Sequence, residues 1–127
     1  MPLVFRPAHV LNQTRHIALA TELALADSHW TRLRGLLGTS SSDFRNGRAL
    51  WITPCRGVHT LAMAFALDVI YLDREHKIVH LEQDLHPWRF APVRLQAASV
   101  LELPSQTIAQ TQTAIGDKIE IGRIVLA

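Results

Sequence analysis

The chain is short of cysteine, glycine, proline and aromatic residues, and each shortage removes a class of protein. A single cysteine, Cys55, among 127 residues excludes an internal disulfide framework and any zinc site built on several thiolates. Six glycines and six prolines are too few for a collagen-like or low-complexity chain, and 48% hydrophobic against 19% charged residues does not fit disorder. Long apolar runs are missing too: Leu61 to Leu67 stops far short of the roughly 18 residues a membrane-spanning helix needs. Arg6, Pro7, His9, Asn12 and Arg15 interrupt the N-terminal segment, which therefore has no continuous apolar signal core, so the expected location is cytoplasmic. No internal repeat of roughly 20 to 50 residues occurs, which excludes solenoids and propellers. What is left is one domain's worth of chain, residues 1–127, long enough to bury roughly two-thirds of its unfolded surface.

Nor does charge of one sign dominate. Thirteen basic residues against eleven acidic ones give a net of +2. The distribution says more: residues 1–58 carry seven arginines against Glu22, Asp27 and Asp43, whereas residues 59–127 carry six basic and eight acidic side chains. Arg32, Arg34, Arg45, Arg48 and Arg56 fall within 25 positions beside one acid, Asp43. Forked guanidinium groups suit carboxylate or phosphate, so an anion site is one reading. A solvated face paired to the acidic second half is the plainer one, because no Lys/Arg-rich run or interleaved aromatic platform accompanies these residues. Nucleic acid is not an expected partner.

The elements that the pattern predicts are short. Residues 16–26 read as a strand, and 28–37 as a helix with Trp30, Leu33, Leu36 and Leu37 on one side and Gly38 as its stop. A polar loop over 39–47 leads into a strand at 49–52 that Pro54 ends. The clearest hairpin runs from Leu67 to Glu82 around Asp73-Arg74-Glu75-His76. Its first strand is apolar on both faces, the mark of burial on both sides. Two prolines, Pro87 and Pro92, make the stretch between Gln83 and Gln96 a long ordered loop. A strand over 97–103, a short helix or turn through Thr113 and a last strand over 118–126 complete the chain. Short strands with one or two helices imply a mainly β, α+β fold, a sandwich or barrel-like domain.

Several side chains carry possible chemistry. Cys55 and His59, four apart, share one face of a helical turn or one side of a strand. With the imidazole lowering the thiol pKa and Asp68 orienting the ring, they form a candidate nucleophilic pair; a small buried thiol and a hydrogen-bonded structural histidine are the plainer reading. Cys55, His59 and one of Asp68, His80 or His86 are enough ligands for a metal, yet no His or Cys pair has metal spacing, and no metal or other cofactor is expected. Arg34-Gly35-Leu36-Leu37-Gly38 lacks the lysine and hydroxyl residue of a phosphate loop. Asp68 and Glu102, each set in an apolar strand, must be paired or hydrogen-bonded, either as ligand-facing groups or as buried partners, Asp68 of Arg34 or of backbone donors, with structural pairing the plainer reading. Asp117, after Gly116, reads as a turn residue. Trp88, beside His86, Arg89 and Phe90, is a candidate recognition surface or a plug for one end of the core.

The order of these motifs, Arg34 to Gly38, Cys55-Arg56-Gly57-Val58-His59-Thr60-Leu61-Ala62-Met63, Leu67 to Asp73, Val100-Leu101-Glu102-Leu103 and Ile115-Gly116-Asp117, resembles the domain of unknown function 192 family. The likeness runs from about Ala18 to Ile121. It implies a compact, mainly β prokaryotic domain with a helix after its first strand, and no established activity. The family's Arg-Gly-Leu-Met-Gly element falls on Arg34 to Gly38, with Leu37 in the methionine's place, and its central motif falls on His59-Thr60, Met63 and Asp68. Members are exported or cytoplasmic, and this chain is similar to the latter. Arg34, His59, Thr60, Asp68 and Glu102 thus coincide with family motif positions.

The expected function is a small non-catalytic domain that binds a ligand or protein partner. Its polar cleft would lie near His59, Thr60 and Asp68, with Arg34 and Glu102 in the set and the Trp88 loop as rim. The alternatives are a Cys55-dependent enzyme assisted by His59, for which no complete catalytic set is recognisable, and a structural or assembly module.

Overall fold

The structure is a computed structural model that describes residues 3–28, 32, 36, 39–60 and 63–123. Along the chain it contains β1 (Arg6–Asn12), β2 (Ile17–Ala26), β3 (Arg48–Ile52), β4 (Leu67–Leu72), β5 (Ile78–Leu85), β6 (Ser99–Pro104), a short helix α1 (Thr107–Thr111) and β7 (Ile119–Arg123). The expected helix over 28–37, with Trp30, Leu33, Arg34, Leu37 and Gly38, lies outside the described residues except for Ser28, Arg32 and Leu36.

All seven strands form one sheet in the order β5-β4-β6-β3-β2-β1-β7. Its pairs are antiparallel except β2 and β3, which run parallel from Glu22 opposite Arg48 to Ala26 opposite Ile52. A parallel pair requires a crossover rather than a hairpin, and residues 27–47 supply it. The fold is mainly β, as expected, but the sheet is not closed into a barrel. Its edge strands meet at one bridge, Lys77 opposite Lys118, flanked by bonds from the Ile78 N–H to the Asp117 carbonyl and from the Gly116 N–H to the Ile78 carbonyl.

Both faces of the sheet are covered. Every residue of β4 is buried, and the period of two sends Leu67, Val69 and Tyr71 to one face and Ile70 and Leu72 to the other. On the first face they meet Leu50, Ile52, Val100, Phe44 and Met63. On the second, Val10, Leu101, Leu103, Ile108 and Ile119 close around Ile70. Each fully buried Leu, Ile or Val contributes roughly 1.5–3 kcal/mol by leaving water, so the two-sided strands carry much of the stability.

One strand was not legible from the pattern. Arg6, Pro7 and His9 obscure β1, yet Ala8, Val10 and Asn12 all point inward. Asn12 donates from Nδ2 to Thr113 Oγ1 at 3.1 Å and to Asp117 Oδ2 at 3.0 Å. Asp117 also receives Arg15 Nε at 2.7 Å and the Ala114 N–H at 2.9 Å. It is therefore more than a turn residue, because it ties the end of β1 to the start of β7. Burial pushes its carboxyl up, but hydrogen bonds from Asn12, Arg15 and Ala114, with the Arg15 charge, hold it below the usual carboxylate value.

Candidate functional site

The long loop after β5 is built on two motif residues. Thr60, almost fully buried, donates its hydroxyl to the His86 carbonyl at 2.6 Å and accepts the Arg89 N–H at 2.9 Å. Its backbone N–H donates to the Arg89 carbonyl at 2.8 Å, and its carbonyl accepts the Trp88 N–H at 2.9 Å. The same ribbon continues with the Ala91 N–H on the Val58 carbonyl and the Arg94 N–H on the Arg56 carbonyl. Tyr71, reaching from β4, donates its hydroxyl to the Pro92 carbonyl at 2.6 Å, and burial pushes that phenol well above its ordinary pKa.

Asp68 holds the other end of the loop. Its Oδ1 accepts the Asp84 N–H at 2.8 Å and its Oδ2 the Ile108 N–H at 2.8 Å, so the buried carboxylate is hydrogen-bonded to backbone donors, one of the two pairings expected of it. Asp84 accepts a bond from Ser105 Oγ at 2.5 Å and faces His86 at 3.3 Å. Asp84 and Trp88 have left-handed backbones, with φ of 53° and 65°. Such a conformation costs a non-glycine residue roughly 1–2 kcal/mol, and here each N–H is engaged by one motif residue, Asp84 by Asp68 and Trp88 by Thr60.

The supported loop presents its apolar side chains outward. Trp88 is 63% exposed, Phe90 72%, Val93 66% and Leu95 79%, whereas Ala91 and Ala97 point inward. His59, also exposed, bridges to Phe90 and packs its ring 6.3 Å from that of Phe90. Trp88 is thus a surface residue rather than a core plug. Leu95 continues into a groove of about 1250 Å³ whose lining includes Cys55, Arg56, Ala97, Arg74, Lys77 and Ile115.

Cys55 and Glu102 sit beside the first core. The Cys55 thiol donates to the Gly57 carbonyl at 3.0 Å. Burial is the main influence on it and raises its pKa; the Gly57 bond lowers it, Glu102 raises it and Arg32 lowers it. A thiol held protonated is a poor nucleophile. Glu102 lies between Leu50 and Val69 on the neighbouring strands. Burial alone pushes its carboxyl up to about 8, and its Oε2 has no hydrogen-bond partner among the described residues. The carboxyl is therefore largely neutral at pH 7, the less costly state for an unpaired acid in a core.

Of the residues singled out from the sequence, His59, Thr60 and Trp88 come together on one ribbon, while Asp68 holds Asp84 at the end of β5, just before the loop, and Ile108 in α1. Glu102 and Cys55 belong to the adjoining core, and Arg34 lies outside the described residues. Among the described residues no group of three or more His, Cys, Asp or Glu side chains is placed to hold a metal. Two features were missed: the groove, which draws on segments up to about 60 residues apart with no local signal, and the outward aim of Val93 and Leu95, which depends on the loop's backbone path.

No helix among the described residues is long and apolar enough to cross a membrane. A UPF0127 protein of Pyrococcus furiosus is 30% identical over 123 residues, spanning 91% of this chain and 100% of that protein. A protein of unknown function from Novosphingobium aromaticivorans superposes with a TM-score of 0.78 at 17% identity, over 93% of this chain and 86% of its own. A Sinorhizobium meliloti protein provisionally described as a transcription regulator does so at 0.80 and 15% identity, over 95% and 96%. At those identities the two crystal structures speak for the fold. The family match spans residues 10–121, and it takes in the Thr60 ribbon, Asp68 and Glu102: the chain belongs to the DUF192 family of uncharacterized ACR proteins.

Proposed function

We propose that this protein is a non-catalytic binding domain and that the loop of residues 86–96 is its recognition element. One observation carries the reading. Four large apolar side chains, Trp88, Phe90, Val93 and Leu95, stand in solvent on a backbone fixed at Thr60, Val58, Arg56 and Tyr71. Exposed apolar clusters mark interaction sites, and a loop already held in one conformation loses little entropy on binding. Trp and Arg, the residue types that most often dominate binding energy, stand side by side at Trp88-Arg89.

In this reading Thr60 and Asp68 shape the site from below, and His59 and Trp88 meet the partner. The protonated, half-buried thiol of Cys55 supports binding over Cys55-dependent catalysis. A free thiol fits a reducing compartment, and we place the domain in the cytoplasm on that ground. The test is selection from a displayed random-peptide library on the wild-type protein and on the Trp88→Ser/Phe90→Ser variant. Sequences enriched on the wild type and lost on the variant are expected. Enrichment that ignores the variant, or none at all, would overturn the reading.

A further inference from the structure

The groove beside the loop narrows the chemistry of the partner. We propose that it receives an extended peptide segment in which apolar side chains alternate with carboxylates. This rests on the reading of the 86–96 loop as the recognition element, because Leu95 belongs to both.

The first argument is shape. The groove holds about 1250 Å³, and its lining includes two outward apolar side chains, Leu95 at 79% and Ile115 at 62% exposure. Together with Trp88, Phe90 and Val93 this forms a long surface whose apolar contacts a compact small molecule cannot reach at once. A bilayer is planar and would touch the loop without filling the concavity. An extended chain does both, with its side chains alternating to either side.

The second argument is charge. Arg56, Arg74 and Lys77 line the groove, and Arg89 and Arg94 flank the exposed loop side chains. All five are exposed, and among the described residues none of them forms an ion pair. From Leu85 to Leu101 the sequence has no acid at all. Asp73 and Glu75 are the acids of the groove, and Asp73 Oδ1 is already taken by the N–H groups of Glu75 and Lys77. The surface is thus apolar with an excess of cations, complementary to carboxylates spaced along an apolar strand.

The experiment uses a fluorescein-labelled decapeptide of alternating leucine and glutamate, with leucine–lysine and serine–glutamate decapeptides as controls, read by anisotropy and by backbone chemical shifts. The leucine–glutamate peptide should bind at least tenfold more tightly than either control and shift Leu95, Ala97 and Ile115. Arg74→Glu/Lys77→Glu, which alters two exposed side chains, one in the turn and one at the bridge to Lys118, should weaken it at least tenfold. Equal binding of the leucine–lysine peptide, or indifference to the double variant, would overturn the proposal. So would preferential uptake of the protein by vesicles of equal phosphatidylserine and phosphatidylcholine, or self-association through this face without peptide binding. Loss on Trp88→Ser/Phe90→Ser with no loss on Arg74→Glu/Lys77→Glu would remove the groove and keep the loop; indifference to both would remove both.

Discussion

Trp88 holds a left-handed backbone with its N–H 2.9 Å from the carbonyl of Thr60. The loop's one tryptophan is thus fixed by a buried threonine 28 residues earlier, which also binds the loop on either side of it at His86 and Arg89.

Replacing Thr60 by Val keeps the volume and removes the hydroxyl. It leaves the His86 carbonyl and the Arg89 N–H without that partner, each worth roughly 1–3 kcal/mol if it stays dry, so a loss of about 2–3 kcal/mol is expected in urea unfolding. Hydrogen exchange at Arg89 should accelerate more than exchange in β4. Unchanged exchange there would show that the hydroxyl does not secure the loop.

Asp68→Asn should be worse than its near-identical shape suggests. The carboxylate accepts two backbone N–H groups with two oxygens, and an amide faces one of them with its own donors. Charge-assisted bonds contribute roughly 1.5–3 kcal/mol each, so a loss of about 3 kcal/mol is expected, with simultaneous loosening at Asp84 and Ile108 in exchange measurements. A loosening confined to one of them would mean that the carboxylate serves a single element, β5 or α1, and not both.

Glu102 predicts a pH dependence of the opposite sign from most carboxylates. Below pH 4.5 it is protonated whether the chain is folded or not. Between 4.5 and about 8 it ionises only on unfolding, so stability falls as pH rises, by about 1.4 kcal/mol per pH unit over that window. Above it the contribution is constant. Glu102→Gln removes this slope, and the wild-type minus variant difference in unfolding free energy from pH 5 to 9 isolates it. A flat difference would mean the carboxyl ionises freely in the fold.

Asp117 behaves conventionally. With its carboxyl held below the ordinary value, its contribution is present above that value and lost as pH falls through the folded one. Asp117→Asn should cost about 2–3 kcal/mol at neutral pH and flatten the acid limb of the unfolding profile. An unchanged acid limb would place the acid sensitivity elsewhere.

Where one short segment decides its own fate, the sequence was readable. Six consecutive buried residues made β4 plain, and two prolines marked the Trp88 loop. Asn12 shows the limit: its burial depends on Thr113 and Asp117, over a hundred residues away, and nothing near it in the chain signals those partners. Thr60 is a similar case, since a threonine between His59 and Leu61 does not announce five hydrogen bonds to a loop that starts 26 residues later. Asp68 was recognised as needing partners because an acid in an apolar strand is anomalous by itself; their identity required the fold.

The pairing of β1 with β7, Val10 opposite Ile121, has a consequence for how the protein is made. A ribosome delivers β1 first and β7 last, so β1 can join β2 early but waits for nearly the whole chain before its other side is satisfied. The Asn12–Asp117 contact forms at that same late moment. Nascent chains stopped before residue 119 should therefore lack the final closure of the sheet, and such non-local pairing sets a slow step in folding. Completion of the sheet therefore waits for a segment more than a hundred residues downstream of the strand it pairs with.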